Sequence, residues 1–242
     1  MRRFVDLQVK YPSTTFKAEE LASNLRRLGF KIVGLTFTSP PQKAENLKDV
    51  KEIFNRFKVE TAFRLNLKPG NPRELLSQLT ANRRRFEVVS VICENRQVAR
   101  QAAKDHRVDT LVFPIGKLRL FDRAEVELAS STGAALEFTL SHILSLKDRS
   151  LARFLADARA AVNLALKKGI PIVLSSGAED VYGLRAPRDL AALAQALLGV
   201  SQEQSMSAVS TVPESIVRRS REKLSSSFIE VGVRLVGEAK DG

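Results

Sequence analysis

The chain of 242 residues contains one cysteine, Cys93, two histidines and no tryptophan. A single cysteine excludes an intrachain disulfide and a Cys-rich zinc site. His106 and His142 stand alone, with no partner at metal-ligand spacing, whereas zinc and two-metal hydrolases use more imidazole than this. Aromatic residues make up only 6%, which argues against recognition of single strands by base stacking. No apolar run approaches the ~18 residues of a membrane span. The segment Met1-Arg2-Arg3-Phe4-Val5-Asp6 has charges but no long apolar region behind them, so it does not read as a signal peptide. The expectation is a protein of the cytoplasm, a reducing compartment, with no membrane partner. A G-x-G-x-x-G turn after the first strand and a Walker A motif are also missing.

Positive charge is what the chain has in plenty. Lys and Arg number 39 against 27 Asp and Glu, a net +12 with a pI near 10.1. Of the 39, 24 are Arg, whose planar donor fork suits phosphates, so the bias points towards a polyanion such as nucleic acid. A solvated basic surface would have the same composition.

Short apolar runs alternate with helical periodicity along most of the chain. Strands are predicted at 4–9, 31–38, 59–67, 86–93, 108–113, 134–138 and 170–174. Between them lie amphipathic stripes such as Ala18, Leu21, Ala22, Leu25 and Leu28, ended by Gly29. Pro72 and Pro187 sit where helices open. Ser201 with Gln204, and Thr211 with Glu214, have capping-box spacing. The stretch from Phe228 to Val236 reads as an eighth strand or a docked tail, with a frayed end beyond it. Strands that alternate with helices imply a parallel sheet. No linker divides the chain, so the expected architecture is a TIM-barrel-like (β/α) barrel. It spans residues 1–224 as a single domain, followed by the tail 225–242.

In such a barrel, polar residues at strand ends are the first candidates for function. Asp6, Glu94 and Glu137 are candidates for a convergent carboxylate site, holding metal or acting as acid and base. Cys93 reads more readily as a buried thiol than as a nucleophile. Basic groupings are more frequent. Arg83-Arg84-Arg85 precedes the fourth strand, and Arg96 and Arg100 share a helix face. Lys117 and Arg119 follow the fifth strand, and Arg218, Arg219, Arg221 and Lys223 fall on a late helix. Arg185 and Arg188 flank Pro187, where exposed N–H donors would suit a phosphate. Such groups fit backbone or shape readout of a folded RNA.

The string Ile170-Pro-Ile-Val-Leu-Ser175-Ser176-Gly177-Ala178, followed by Arg185-Ala186-Pro187-Arg188-Asp189-Leu190, is the most distinctive in the chain. With Phe4-Val5-Asp6-Leu7, Val91-Ile92-Cys93-Glu94 and Ala135-Leu136-Glu137-Phe138, it resembles ribonuclease P protein component 3. This is the thirty-kilodalton subunit family of archaeal and eukaryotic ribonuclease P. The resemblance covers Phe4 to about Leu224.

It implies a barrel related to the metal-dependent PHP phosphoesterases. Asp6 and Gln8 stand where those enzymes carry His-x-His, and Ser176 and Ala178 stand where they carry Asp-x-His. It therefore implies a chain that is not itself catalytic and binds no cofactor. Such a chain works with protein component 2 and other ribonuclease P proteins on the ribonuclease P RNA. Magnesium held by that RNA removes the 5′ leader of precursor tRNA. Arg185, Arg188, Lys117, Arg96 and Arg100 are the expected RNA contacts. Two other readings stay open. One is a PHP-type phosphoesterase with a divergent carboxylate site, and the other a barrel enzyme acting on a small phosphorylated metabolite.

Overall fold

The computed structural model describes residues 2–41, 45–225, 228–230 and 233–234. Seven strands form one sheet in sequential order, with every neighbouring pair parallel. They are β1 (Phe4–Lys10), β2 (Phe30–Phe37), β3 (Glu60–Leu67), β4 (Val88–Ile92), β5 (Thr110–Val112), β6 (Ala135–Thr139) and β7 (Ile172–Ser175). Sequential order with a helix in each crossover curls the sheet into a barrel, as the periodicity predicts.

The crossover helices are α1 (Thr15–Leu28), α2 (Glu45–Arg56), α3 (Pro72–Asn82), α4 (Arg96–Ala103) and α5 (Arg123–Thr132). The sixth crossover carries α6 (Leu140–Leu144) and α7 (Asp148–Lys167). After β7 come α8 (Pro187–Leu193), a π-helical turn over Ala194–Leu198, α9 (Gln202–Ala208) and α10 (Thr211–Leu224). Their ends follow local chemistry. Thr14, Asn71 and Asn95 cap α1, α3 and α4 with side-chain oxygens, and Gly29 ends α1 in the left-handed conformation. The Ser201–Gln204 capping box forms as expected. The Thr211–Glu214 box does not: Thr211 is already the first residue of α10, and its hydroxyl bonds Ser207 instead.

An eighth barrel strand is not made by the described part of the tail. Phe228–Glu230 pairs antiparallel with Val233–Arg234 in a separate ladder. The frayed end expected at 237–242 lies outside the described residues. The seam between β1 and β7 is bridged near its top by Val9 and Ala178, where Lys10 N–H donates to Ala178 O at 2.8 Å. Near its base, Val5 N–H donates to Val209 O at 3.0 Å, so the turn after α9 serves the first strand where an eighth would lie.

The barrel interior is layered. Val5, Leu7, Ile32, Ala62, Val88, Ala135 and Val173 form an apolar cluster with Ile216 and Val217 of α10, which plugs the base. Full burial of two such side chains stabilises by about 1.5–3 kcal/mol each. Charges hold the plug in place. Asp109 is fully buried and accepts from Val89 N–H at 2.9 Å and from Ser220 Oγ at 3.2 Å, with Arg83 paired to it at 3.2 Å. Arg221 reaches Glu87 at 2.7 Å and Glu60 at 3.0 Å. Arg83 of the triple-arginine run is therefore a structural tie. Above the apolar layer, the interior turns polar.

Candidate functional site

The polar layer is built on Arg64, which points inward from β3 and is fully buried. Period-2 alternation puts Ala62, Arg64 and Asn66 on one face of the strand. All five guanidinium N–H donors are placed. Nε donates to Asn66 Oδ1 at 2.7 Å, one terminal nitrogen to Glu137 Oε1 at 2.7 Å and to Leu7 O at 3.2 Å, and the other to Ser90 Oγ at 2.9 Å and Gln8 Oε1 at 3.1 Å. The Leu7 carbonyl is free to accept because the β1–β2 register shifts between Asp6 and Val9, an irregularity that turns the backbone inward. Gly34 of β2 makes room, since a Cβ built there would collide with that same carbonyl.

Glu137 of β6 is equally buried. Besides Arg64, it accepts from Ser175 Oγ at 2.6 Å and Thr110 Oγ1 at 2.7 Å. Asp6 lies beside this network. It accepts from Gln8 N–H of its own strand at 3.2 Å and from Ser176 N–H at 3.1 Å, the latter tying β1 to the end of β7. Burial pushes its carboxyl up to about 6, against the lowering effect of the Ser176 and Gln8 hydrogen bonds, and its Oδ2 has no hydrogen-bond partner.

The loop after β7 packs against the end of β6 on one side and β1 on the other. Gly177 has φ +66 and fits so closely against Thr139 and Ser141 that a side chain would collide with both. Ser141 N–H donates to Ser176 O at 3.0 Å. The small residues Ser175 to Ala178 thus provide close packing inside the chain.

Sequence reasoning grouped Asp6, Glu94 and Glu137. The structure brings Asp6 and Glu137 together and leaves Glu94 outside, paired with Lys68 at 2.9 Å on the surface. His142 lies on α6, where burial lowers its pKa and Glu137 acts the other way. No group of three His, Cys, Asp or Glu among the described residues could hold a metal ion. The metal centre of a PHP enzyme does not fit here. A guanidinium fixed by five bonds is already paired with the buried Glu137, and a metal cation cannot take that place beside it. Cys93 is fully buried, and burial, with a smaller push from Glu125, raises its thiol pKa, as a structural cysteine's environment does.

The predicted RNA contacts lie around the rim. Arg96 pairs with Asp122 at 3.7 Å, and Arg100 with the fully buried Glu125 at 3.3 Å. These two arginines therefore join α4 to α5. Arg185 folds back on two carbonyls, Tyr182 O at 2.8 Å and Leu184 O at 2.7 Å. Arg188 lines a groove with Arg2, Ala191, Ala192 and Met206. Lys117 is exposed on the loop after β5. The structure does not bring the five into one cluster. Sequence reasoning passed over Arg149 and Arg153 of α7, although their four-residue spacing is visible in the chain.

The family model described as RNase P subunit p30 matches residues 3–225. Ribonuclease P protein component 3 of Methanosarcina mazei is 30% identical over 212 residues, covering 87% of this chain and 86% of its own. The same component of Methanococcoides burtonii is 29% identical over 222 residues, covering 91% and 89%. Among solved structures, a chain in the cryo-EM structure of archaeal ribonuclease P with mature tRNA superposes with a TM-score of 0.85 at 21% identity. That match covers 98% of this chain and all of the other. Aspergillus niger ochratoxinase shares the barrel more distantly, with a TM-score of 0.57 at 12% identity over 89% of this chain and 71% of its own. No helix among the described residues is long and apolar enough to cross a membrane. Matched by that family over residues 3–225, the chain belongs to the RNase P subunit p30 family.

Proposed function

We propose that the chain acts as a non-catalytic protein subunit of ribonuclease P. It binds the catalytic RNA together with protein component 2 and supports removal of the 5′ leader from precursor tRNA in the cytoplasm. The observation that carries the non-catalytic part is the barrel mouth. Arg64 occupies the barrel interior and is paired with Glu137, so these two charges satisfy each other rather than a substrate. The excess of 39 basic over 27 acidic residues supports the RNA-binding part. Lys and Arg side chains relieve phosphate repulsion as an RNA compacts and make the association salt-sensitive. Magnesium bound by the RNA does the chemistry in this reading, and the chain meets precursor tRNA only through the assembled particle.

The test is precursor-tRNA cleavage by ribonuclease P RNA reconstituted with its protein partners at limiting magnesium, with and without this chain. Correct 5′ cleavage should rise only when the chain is added. No change, with the other subunits demonstrably active, would overturn the subunit role.

A further inference from the structure

A cavity of ≈ 340 Å³ opens on the rim between the loop after β5 and the first turns of α7. Its floor is apolar, formed by Phe154 and by Ile115, which is 43% exposed. Arg149, Ser150 and Arg153 line it as well. The two arginines are four residues apart on one helix, so their side chains leave the same face about one turn, or ~6 Å, apart. Neither makes an ion pair or hydrogen bond with any described residue. They differ in this from Arg96, Arg100 and Arg185, which are engaged. The one acid on the cavity wall, Asp157, is taken up by Arg119, whose Nε lies 2.9 and 3.1 Å from its two oxygens. Lys117 is exposed on the same loop. The cavity therefore offers free guanidinium donors and no free carboxylate, above a floor on which a sugar or base can rest.

We infer that this cavity holds the phosphodiester backbone of an RNA strand, with Arg149 and Arg153 on successive phosphates and Ile115 under the ribose or base between them. The inference rests on the subunit reading above and names the surface through which it works. Paired guanidiniums at this spacing suit phosphate better than a point charge would, because each fork donates two parallel bonds. Gly116, with φ +79 and nothing within 4 Å of a built Cβ, leaves the entrance open.

The experiment titrates labelled ribonuclease P RNA from the same genome with the full chain and its partner subunits, at several salt concentrations. Three proteins are compared: the wild type, Arg149→Gln/Arg153→Gln, and Arg26→Gln/Arg27→Gln as a control with the same charge loss on α1. Both variants alter exposed side chains and should keep the wild-type thermal midpoint. The α7 variant should bind at least about tenfold more weakly, and the slope of log affinity against log salt should fall by about 2. The control should change affinity less than about twofold. Equal behaviour of the two variants would overturn the inference and leave the subunit reading intact. So would retained RNA binding with lost binding to a partner protein, which would make the cavity a protein contact. Failure of the wild-type assembly to bind the RNA would remove the subunit reading itself, and the inference with it.

Discussion

Replacing Arg64 by methionine tests whether the barrel mouth is a closed structural network. Methionine retains an apolar stem and removes every donor. Glu137 keeps its bonds from Ser175 and Thr110 but loses the Arg64 countercharge, while the acceptors Asn66 Oδ1, Gln8 Oε1 and Leu7 O lose a donor. Removing one partner of a buried pair costs about 3–5 kcal/mol, because the other charge is left uncompensated. A domain of this kind has about 5–15 kcal/mol in all, so Arg64→Met should fold with a much lower urea midpoint. Arg64→Met/Glu137→Gln should be more stable than Arg64→Met alone, since the unpaired charge is gone. Urea unfolding at pH 7, followed by far-UV circular dichroism with the slope held common, measures both. A loss below about 1 kcal/mol in the single variant would refute the reasoning. It would mean that the guanidinium is solvated and the mouth open.

Two further outcomes follow from neighbouring residues. Asp6 is held at about 6 in the fold against an ordinary 3.8, so the folded state binds its proton more tightly than the unfolded chain. Its contribution is present below pH 4 and lost as the pH rises through 6, a difference of about 3 kcal/mol. Asp6→Asn should remove that fall from the stability–pH curve between pH 4 and 7. Parallel wild-type and variant curves from urea titrations would contradict it. Gly34→Ala places a methyl group onto the Leu7 carbonyl. Because backbone must move, the cost should reach about 1–3 kcal/mol, read as a lower thermal midpoint. An unchanged midpoint would show that β1 and β2 are further apart than described.

The barrel was legible because its signals are local. Apolar runs, Asn71 and Asn95 as caps and Gly29 as a stop each depend on a few adjacent residues, and the strands fall within two residues of the runs that predict them. What escaped was set by distant partners. Arg64 stands out as a polar residue late in a strand, but its bonds reach 57 residues back to Leu7 and 73 forward to Glu137. The spacing of Arg96 and Arg100 is plain in the chain, yet nothing local shows that Asp122 and Glu125 face them from the next helix. Glu94 sits two residues past the end of β4 and meets Lys68 rather than Asp6. The five residues of α6 are too few to show a helical period.

The Val5–Val209 bond has a consequence for how the chain is made. The first strand emerges early, but its partner at the base of the seam is 204 residues later. At the usual ~5–20 residues per second, that is an interval of about 10–40 s. Throughout it, the lower edge of β1 has unpaired donors and acceptors, and the apolar layer above α10 has no plug. A nascent chain in this interval is a curled, unclosed sheet. A stop anywhere before Val209 would leave a product with an open edge, suited to pairing with another copy of itself.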